Sequence, residues 1–197
     1  NSGMKSQPSY FMSHYFYTQP FFPPLQHHTN PFLQYLTHYA PKWVFPLFSS
    51  MYFIITIGTP IIAVESGIVE ALGWNQYGGW RIGIRSLDNK RYYYYAHLRK
   101  NYPYQSNLEV GSRVQAGDVI GYMGRTGYSS KENTNNIDEP HLHFGIQLIF
   151  DESQKEGNNE IWISCYELVK FLRQNQCLTQ KIPDTKEWQR VYKTEEK

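Results

Sequence analysis

The chain has 197 residues and a mass of 23.3 kDa, enough for one domain with extensions and a full hydrophobic core. Its formal net charge at pH 7 is only +2, which gives no electrostatic case for binding nucleic acid. Cys165 and Cys177 follow neither a C-x-x-C nor a zinc-ribbon spacing, so we expect two ordinary thiols. No segment has the order of basic, apolar and small residues that is typical of a signal peptide.

The first part of the chain differs in composition from the rest. Residues 1–64 contain no Asp or Glu, and Lys5 and Lys42 are their only Lys or Arg residues. Aromatic residues and prolines crowd this stretch, and no helical or alternating period persists in it. We therefore predict an irregular segment over residues 1–57, a folded domain over residues 58–150, and a C-terminal helix with a polar tail over residues 151–197.

Residues 43–64 carry no charge, which is long enough for a membrane span to be considered. Pro46 and Pro60 argue against a regular helix there, and Gly58-Thr59-Pro60 is typical of a turn. The apolar residues that follow this turn suit a short strand of the next domain. We therefore expect no membrane span.

The remainder of the chain has the pattern of a mainly β protein. Short apolar or alternating runs predict strands over residues 61–64, 67–72, 80–85, 91–97 and 141–149, with further short strands and glycine corners within residues 110–121. A polar loop is predicted over residues 126–139. Residues 167–174 carry Leu168, Phe171 and Leu172 on one face, which predicts a single C-terminal helix. The predicted fold is an antiparallel sheet with one helix.

Three histidines are the strongest candidates for chemistry. In an extended strand His141 and His143 point to the same face, so the pair can hold a metal ion and still leave a nitrogen free to take a proton. A zinc hydrolase needs protein ligands and a base for the metal-bound water, for which His143 and His141 are candidates. His97 ends a tyrosine-rich strand and is a candidate to stabilise a developing oxyanion, although taken alone it also fits an ordinary packed histidine.

Several motifs in series resemble the LytM or lysostaphin-type zinc metallopeptidases. They are Gly58-Thr59-Pro60, Tyr95-Ala96-His97-Leu98, the glycine-rich run over residues 110–127, and Pro140-His141-Leu142-His143-Phe144. Their order and spacing agree over residues 58–150. The resemblance implies a compact antiparallel β fold with a groove, and cleavage of short peptide cross-bridges or stems in bacterial peptidoglycan. It also implies a location outside the cytoplasm, at the cell envelope, where that substrate lies.

The resemblance further assigns roles to single residues. It implies that His143 binds zinc, that His141 is the base toward the zinc-bound water, and that His97 steadies the tetrahedral intermediate. The two other zinc ligands of these peptidases come from a His-x-x-x-Asp motif, which in this chain falls on Phe48 and Tyr52. Neither residue binds zinc as required, so zinc binding is in question and we expect a poor peptidase or none. His27, His28 and His38 lie too far upstream to substitute in register, which leaves only a rearranged ligand open.

Two explanations for the missing motif stay open. A frameshift or misjoined reading frame would leave such an abrupt change in composition, and translating the nucleotide sequence in all frames would reveal the motif. Alternatively, the domain is degenerate and binds peptidoglycan or a protein partner without catalysis. Because all three histidines are retained, we favour a domain derived from a peptidase. A β module like the biotinyl or lipoyl carriers is a weaker alternative, since residues 110–124 offer no lysine for modification.

Overall fold

The computed structural model describes residues 7–8, 56–155 and 159–191, all of which belong to one compact unit. Nearly all of the predicted irregular segment over residues 1–57 therefore lies outside the described residues. Phe48, Tyr52 and the upstream histidines lie outside them as well. Within the described ranges, no helix has the length and apolar character needed to cross a membrane.

The described residues form short antiparallel strands and one short α-helix. In chain order the strands are β1 (Gln7–Pro8), β2 (Pro60–Ile62), β3 (Gly67–Asn75), β4 (Gly79–Ser86), β5 (Arg91–Ala96), β6 (Arg113–Val114), β7 (Val119–Tyr122), β8 (His143–Leu148), β9 (Ile161–Ile163), β10 (Leu178–Lys181) and β11 (Trp188–Arg190). The helix α1 covers Tyr166–Gln174, and a 3-10 turn covers Glu152–Gln154. The prediction of a mainly β, antiparallel fold with one C-terminal helix is confirmed.

The largest sheet has six strands in the order β6-β3-β4-β5-β8-β9. Strands β2 and β7 form a separate pair, and β10 lies between β1 and β11 in a third sheet. All of these pairings are antiparallel. Cys165 is buried, and Cys177 is half-buried.

The two faces of the large sheet bury different residues. On one face, Ile82, Ile84, Tyr93 and Tyr95 belong to the main hydrophobic core. The alternate residues of β5 form a smaller cluster on the opposite face, in which Tyr92, Tyr94 and Ala96 pack with Ile149. Because side chains alternate along a strand, a run of four tyrosines divides between the two layers. The second face is the one on which the histidines gather.

Candidate active site

His97 is held at the end of β5 by its backbone. Strand β5 stops at Ala96, and His97 adopts a left-handed conformation with a φ of 63°. Its backbone N–H donates to the Gly78 carbonyl at 2.8 Å, and its own carbonyl accepts from the Gly124 N–H at 3.1 Å. Only 3% of the residue is exposed. A positive φ costs energy at a residue with a Cβ, so these contacts stabilise a turn that moves the imidazole out of the strand direction.

Thr126 fixes the orientation of the His97 ring. The Thr126 carbonyl lies 2.9 Å from His97 Nδ1, and because a carbonyl oxygen only accepts, Nδ1 carries the hydrogen in this contact. The Thr126 hydroxyl donates to the Leu98 carbonyl at 2.6 Å and accepts from the Trp80 N–H at 3.1 Å. Thr126 is fully buried. Thr126 therefore links the His97 ring, through its carbonyl, to the backbone of Leu98 and Trp80, through its hydroxyl.

His141 and His143 both lie beside His97, but His143 belongs to a strand and His141 to the loop before it. His143 is the first residue of β8, paired with Ala96 of β5. His141 was predicted within the strand but precedes it by two residues, because its Nδ1 contacts the Glu139 carbonyl at 2.9 Å within the preceding loop. The ring centroid of His97 lies 4.9 Å from that of His141 and 5.4 Å from that of His143. The structure thus brings together all three predicted histidines.

The surroundings favour neutral rings. Burial, with neighbouring His143 and His141, lowers the pKa of His97 to about 3. Burial and His141 lower the pKa of His143 to about 4. Near pH 7 both rings are therefore neutral, the state in which an imidazole binds a metal. With Nδ1 bonded to the Thr126 carbonyl, neutral His97 keeps the lone pair on Nε2, which can accept a proton but donate none. The Nδ1 of His141 makes the same kind of contact with the Glu139 carbonyl, which leaves its Nε2 directed elsewhere.

The described residues do not make a complete zinc site. Three imidazoles converge, and neutral His143 is suitable as a ligand, yet residues 56–155 and 159–191 contain no group of three or more His, Cys, Asp or Glu side chains that could hold a metal ion. Catalytic zinc requires about three protein ligands. This part of the chain therefore does not by itself fit the metal that the histidines suggest.

Aromatic residues around the histidines were not singled out as site residues from the sequence. Tyr128 stacks on His97 with ring centroids 6.1 Å apart, and Tyr94 meets His143 edge-on at 5.8 Å. Tyr128 is 61% exposed, which leaves its outer surface open to solvent. In the sequence, Tyr94 stands out only as a member of the tyrosine run, and Thr126 only as a residue of the glycine-rich stretch and polar loop.

Replacing Thr126 should test its hold on His97. The change Thr126→Val removes the hydroxyl and leaves the buried Leu98 carbonyl and Trp80 N–H without this partner, so we expect a loss of about 1–3 kcal/mol in the free energy of unfolding. Thr126→Ser keeps the hydroxyl and should lose less. Urea unfolding measures the stability, and ¹⁵N NMR of the histidines measures the proton on Nδ1 of His97. An unchanged stability in Thr126→Val would contradict this role.

The chain belongs to Peptidase family M23, a family of peptidoglycan endopeptidases, because the family model matches residues 49–157, more than half of the chain. Members of this family are zinc peptidases. The match covers the large sheet up to β8 and all three histidines of the site. It confirms the LytM or lysostaphin-type resemblance of the sequence motifs.

Individual relatives are similar over the same region. An L-Ala--D-Glu endopeptidase of Bacillus subtilis is 40% identical over 89 residues, which are 45% of this chain and 26% of that protein. Lysostaphin of Staphylococcus staphylolyticus is 41% identical over 93 residues, 47% of this chain and 17% of the relative. A crystal structure of a putative glycyl-glycine endopeptidase LytM from Ruminococcus gnavus is similar with a TM-score of 0.51 and 39% identity, covering 64% of this chain and 45% of that one. The chain therefore spans about a quarter or less of these two curated relatives.

Proposed function

We propose that the chain is a peptidoglycan endopeptidase-type domain that binds peptidoglycan peptides at the histidine cluster and whose zinc-dependent hydrolysis is impaired. The observation that carries the proposal is the convergence of His97, His141 and His143 in a part of the chain that forms no metal-binding group by itself. Membership of the family supports the substrate class. The peptide bonds named for the relatives differ from one another, so they leave the bond cut by this chain open.

In this proposal each histidine has one role. His143 is the residue that contacts zinc when zinc is present. His141, anchored through Nδ1 to the Glu139 carbonyl, offers Nε2 as the proton acceptor. His97 faces the oxygen of the reacting carbonyl. Because its ring is neutral near pH 7 and its only N–H hydrogen is on Nδ1, it stabilises a developing oxyanion only after Nε2 has taken up a proton in the reaction.

The impairment rests on the residues at the two remaining ligand positions. The spacing from Gly58 assigns these positions to Phe48 and Tyr52, and neither replaces the His and Asp of the family motif. A single histidine ligand does not retain catalytic zinc. The presence of Phe48 and Tyr52 at these ligand positions also favours a second candidate function, that of a non-catalytic domain that binds the cell wall or a protein partner. Both candidates place the chain outside the cytoplasm, at the cell envelope.

The test measures binding and cleavage separately. The purified chain is mixed with a pentaglycine peptide and with soluble peptidoglycan fragments, with and without added zinc. We expect ligand-induced NMR shifts at the three site histidines, together with slow cleavage or none. Rapid cleavage that a chelator abolishes would contradict the impairment, and no binding of either ligand would contradict the proposed function.

A control variant addresses the rearranged ligand that the sequence leaves open. His38→Ala removes a histidine of the acid-free segment, whereas His143→Ala removes the proposed ligand. We expect any zinc-dependent cleavage to disappear in His143→Ala and to persist in His38→Ala. Loss of cleavage in His38→Ala alone would assign the missing ligand to that upstream histidine.

A further inference from the structure

Trp162 lies on the sheet face that carries the histidines. It belongs to the edge strand β9 and pairs with Gln147 of β8, and Gln147, Gly145 and His143 alternate onto one face of β8. Alternate residues of an extended strand are about 7 Å apart, so Gly145 lies about 7 Å from His143 on this face. The family model matches residues 49–157, so Trp162 lies outside the matched region and the family assigns it no role.

Contacts with three neighbouring residues hold the indole of Trp162 beside the histidine cluster. A Cβ placed on Gly145 would lie 2.8 Å from Cζ3 and 3.0 Å from Cε3 of the indole, so the absence of a side chain at Gly145 makes room for the ring. Tyr94 meets the indole edge-on with ring centroids 6.2 Å apart, and the same tyrosine ring contacts His143. Nε1 of Trp162 donates to Glu160 Oε2 at 2.8 Å, which fixes the orientation of the ring.

The surface between the histidine cluster and Trp162 is accessible to solvent. His143 and Gly145 are both half-buried, whereas their neighbours Leu142 and Phe144 on the core face are buried. Trp162 is 37% exposed. Gly145 carries no side chain that would separate the indole from the imidazole. A peptide that lies along β8 can therefore contact His143 and the indole at the same time.

The charges around this surface are mostly negative. Between residues 132 and 160 the basic residues are Lys155 alone, and the acidic residues are Glu132, Asp138, Glu139, Asp151, Glu152, Glu156 and Glu160. Lys155 already pairs with Glu70. Among the residues that the structure describes, no Lys or Arg forms an ion pair with Glu160. The carboxylate beside the indole is therefore available to a cation from another molecule.

We propose that Trp162 and Glu160 form a subsite that binds an ammonium group of the peptide that occupies the histidine cluster, and so favour peptides that carry a positive charge. This inference rests on the proposed function. The face of an indole attracts a cation more strongly than the face of a phenol or phenyl ring, and the carboxylate at the ring edge adds a charge-assisted hydrogen bond. A lysine-type side chain and a free N-terminus both present this ammonium chemistry, and the test below separates them.

Matched peptides test this preference in the presence of a chelator, so that no cleavage interferes. The probes are an acetylated and amidated heptaglycine, the same peptide with Lys at its central position, and the same peptide with norleucine there, which keeps the methylene chain and removes the charge. An amidated hexaglycine with a free N-terminus separates a terminal ammonium from a side-chain ammonium. We expect wild-type protein to bind the Lys peptide or the free-amine peptide at least about tenfold more tightly than the uncharged peptides, measured by titration calorimetry.

Variants of the protein assign the preference to this subsite. Trp162→Leu should abolish it, and Trp162→Phe should retain part of it. Glu160→Gln keeps an acceptor for the indole N–H but removes the charge, so it should weaken the preference. Gly145→Ala changes neither residue but displaces the indole, because the added Cβ would meet Cζ3, and it should weaken the preference as well.

Control variants change the same residue types elsewhere. Glu109→Gln removes an equal charge from an exposed residue just before β6, at the opposite edge of the six-stranded sheet. Tyr166→Leu removes a half-exposed aromatic ring from α1, which packs against the main core rather than on the histidine face. Both variants should keep the preference of the wild type. Urea unfolding checks that each variant is folded.

The outcomes separate this inference from the proposed function. Equal binding of charged and uncharged peptides by wild-type protein, or a preference that persists in Trp162→Leu, overturns the subsite and leaves peptide binding intact. An equal loss of preference in Glu109→Gln and Glu160→Gln also overturns it, since the effect would then come from overall charge. If none of the peptides binds, including heptaglycine, both the proposed function and the subsite are overturned.

Discussion

The double change Phe48→His and Tyr52→Asp is expected to convert this chain into a zinc-binding peptidase. It places the two missing ligand types at the spacing from Gly58 that the family motif requires. A complete four-ligand zinc site is worth about 10–16 kcal/mol, so two added ligands contribute about 5 kcal/mol or more, which is a gain in affinity of at least about 10³-fold. Zinc titration with a competing chelator measures the affinity, and cleavage of a pentaglycine peptide measures the activity.

A displaced pair serves as the matched control for this variant. Ser49→His and Phe53→Asp introduce the same two residue types at the same spacing, moved by one position along the chain. We expect no comparable gain in zinc affinity from this pair, and loss of the gain when His143→Ala is added to the first pair. If the first pair binds zinc no better than wild type, Phe48 and Tyr52 are not the reason for impaired zinc binding.

The change Gly79→Ala is expected to cause a large loss of stability and to disturb the site. Gly79 has a φ of +66°, and a Cβ there would lie 2.4 Å from the Thr126 carbonyl carbon and 2.5 Å from its oxygen. That oxygen is the partner of His97 Nδ1. Strain in the left-handed region and overpacking together cost about 2–5 kcal/mol. Urea unfolding measures this loss, and ¹⁵N NMR measures the altered environment of the His97 ring.

Gly111→Ala is the control for backbone strain alone. Gly111 has a φ of +93°, but a Cβ there would meet no atom within 4 Å. We expect a loss of about 1–2 kcal/mol and an unchanged His97 signal. Equal losses in Gly79→Ala and Gly111→Ala would show that the close approach to Thr126 has no energetic consequence.

The fold was predictable where the alternation of apolar residues in the sequence agrees with the strand pairing in the structure. The alternation in residues 80–85 and the tyrosine run predict β4 and β5, since one face of each strand enters the main core. Strand β11 was not predicted because its residues have little local strand pattern. It depends on distant contacts, in which the Trp188 N–H donates to the Tyr122 hydroxyl at 3.2 Å and the Trp188 carbonyl accepts from Gln105 at 3.1 Å.

The candidate site was predictable in its histidines but not in what holds them. The motifs around His97, His141 and His143 have a recognisable order along the chain. The support from Thr126 depends on a backbone carbonyl and a tertiary contact, for which residue type gives no signal. The prediction that His141 lies within a strand was wrong. His141 contacts the Glu139 carbonyl within the loop, and the β5–β8 pairing starts only two residues later, at His143.

Zinc content tests the central claim most directly. The wild-type chain is purified, incubated with zinc, dialysed against metal-free buffer and measured by atomic emission. We predict far less than one zinc per chain, because His143 is the one expected ligand that this sequence retains. One zinc per chain that survives dialysis would contradict this account, and would show that other residues complete the site.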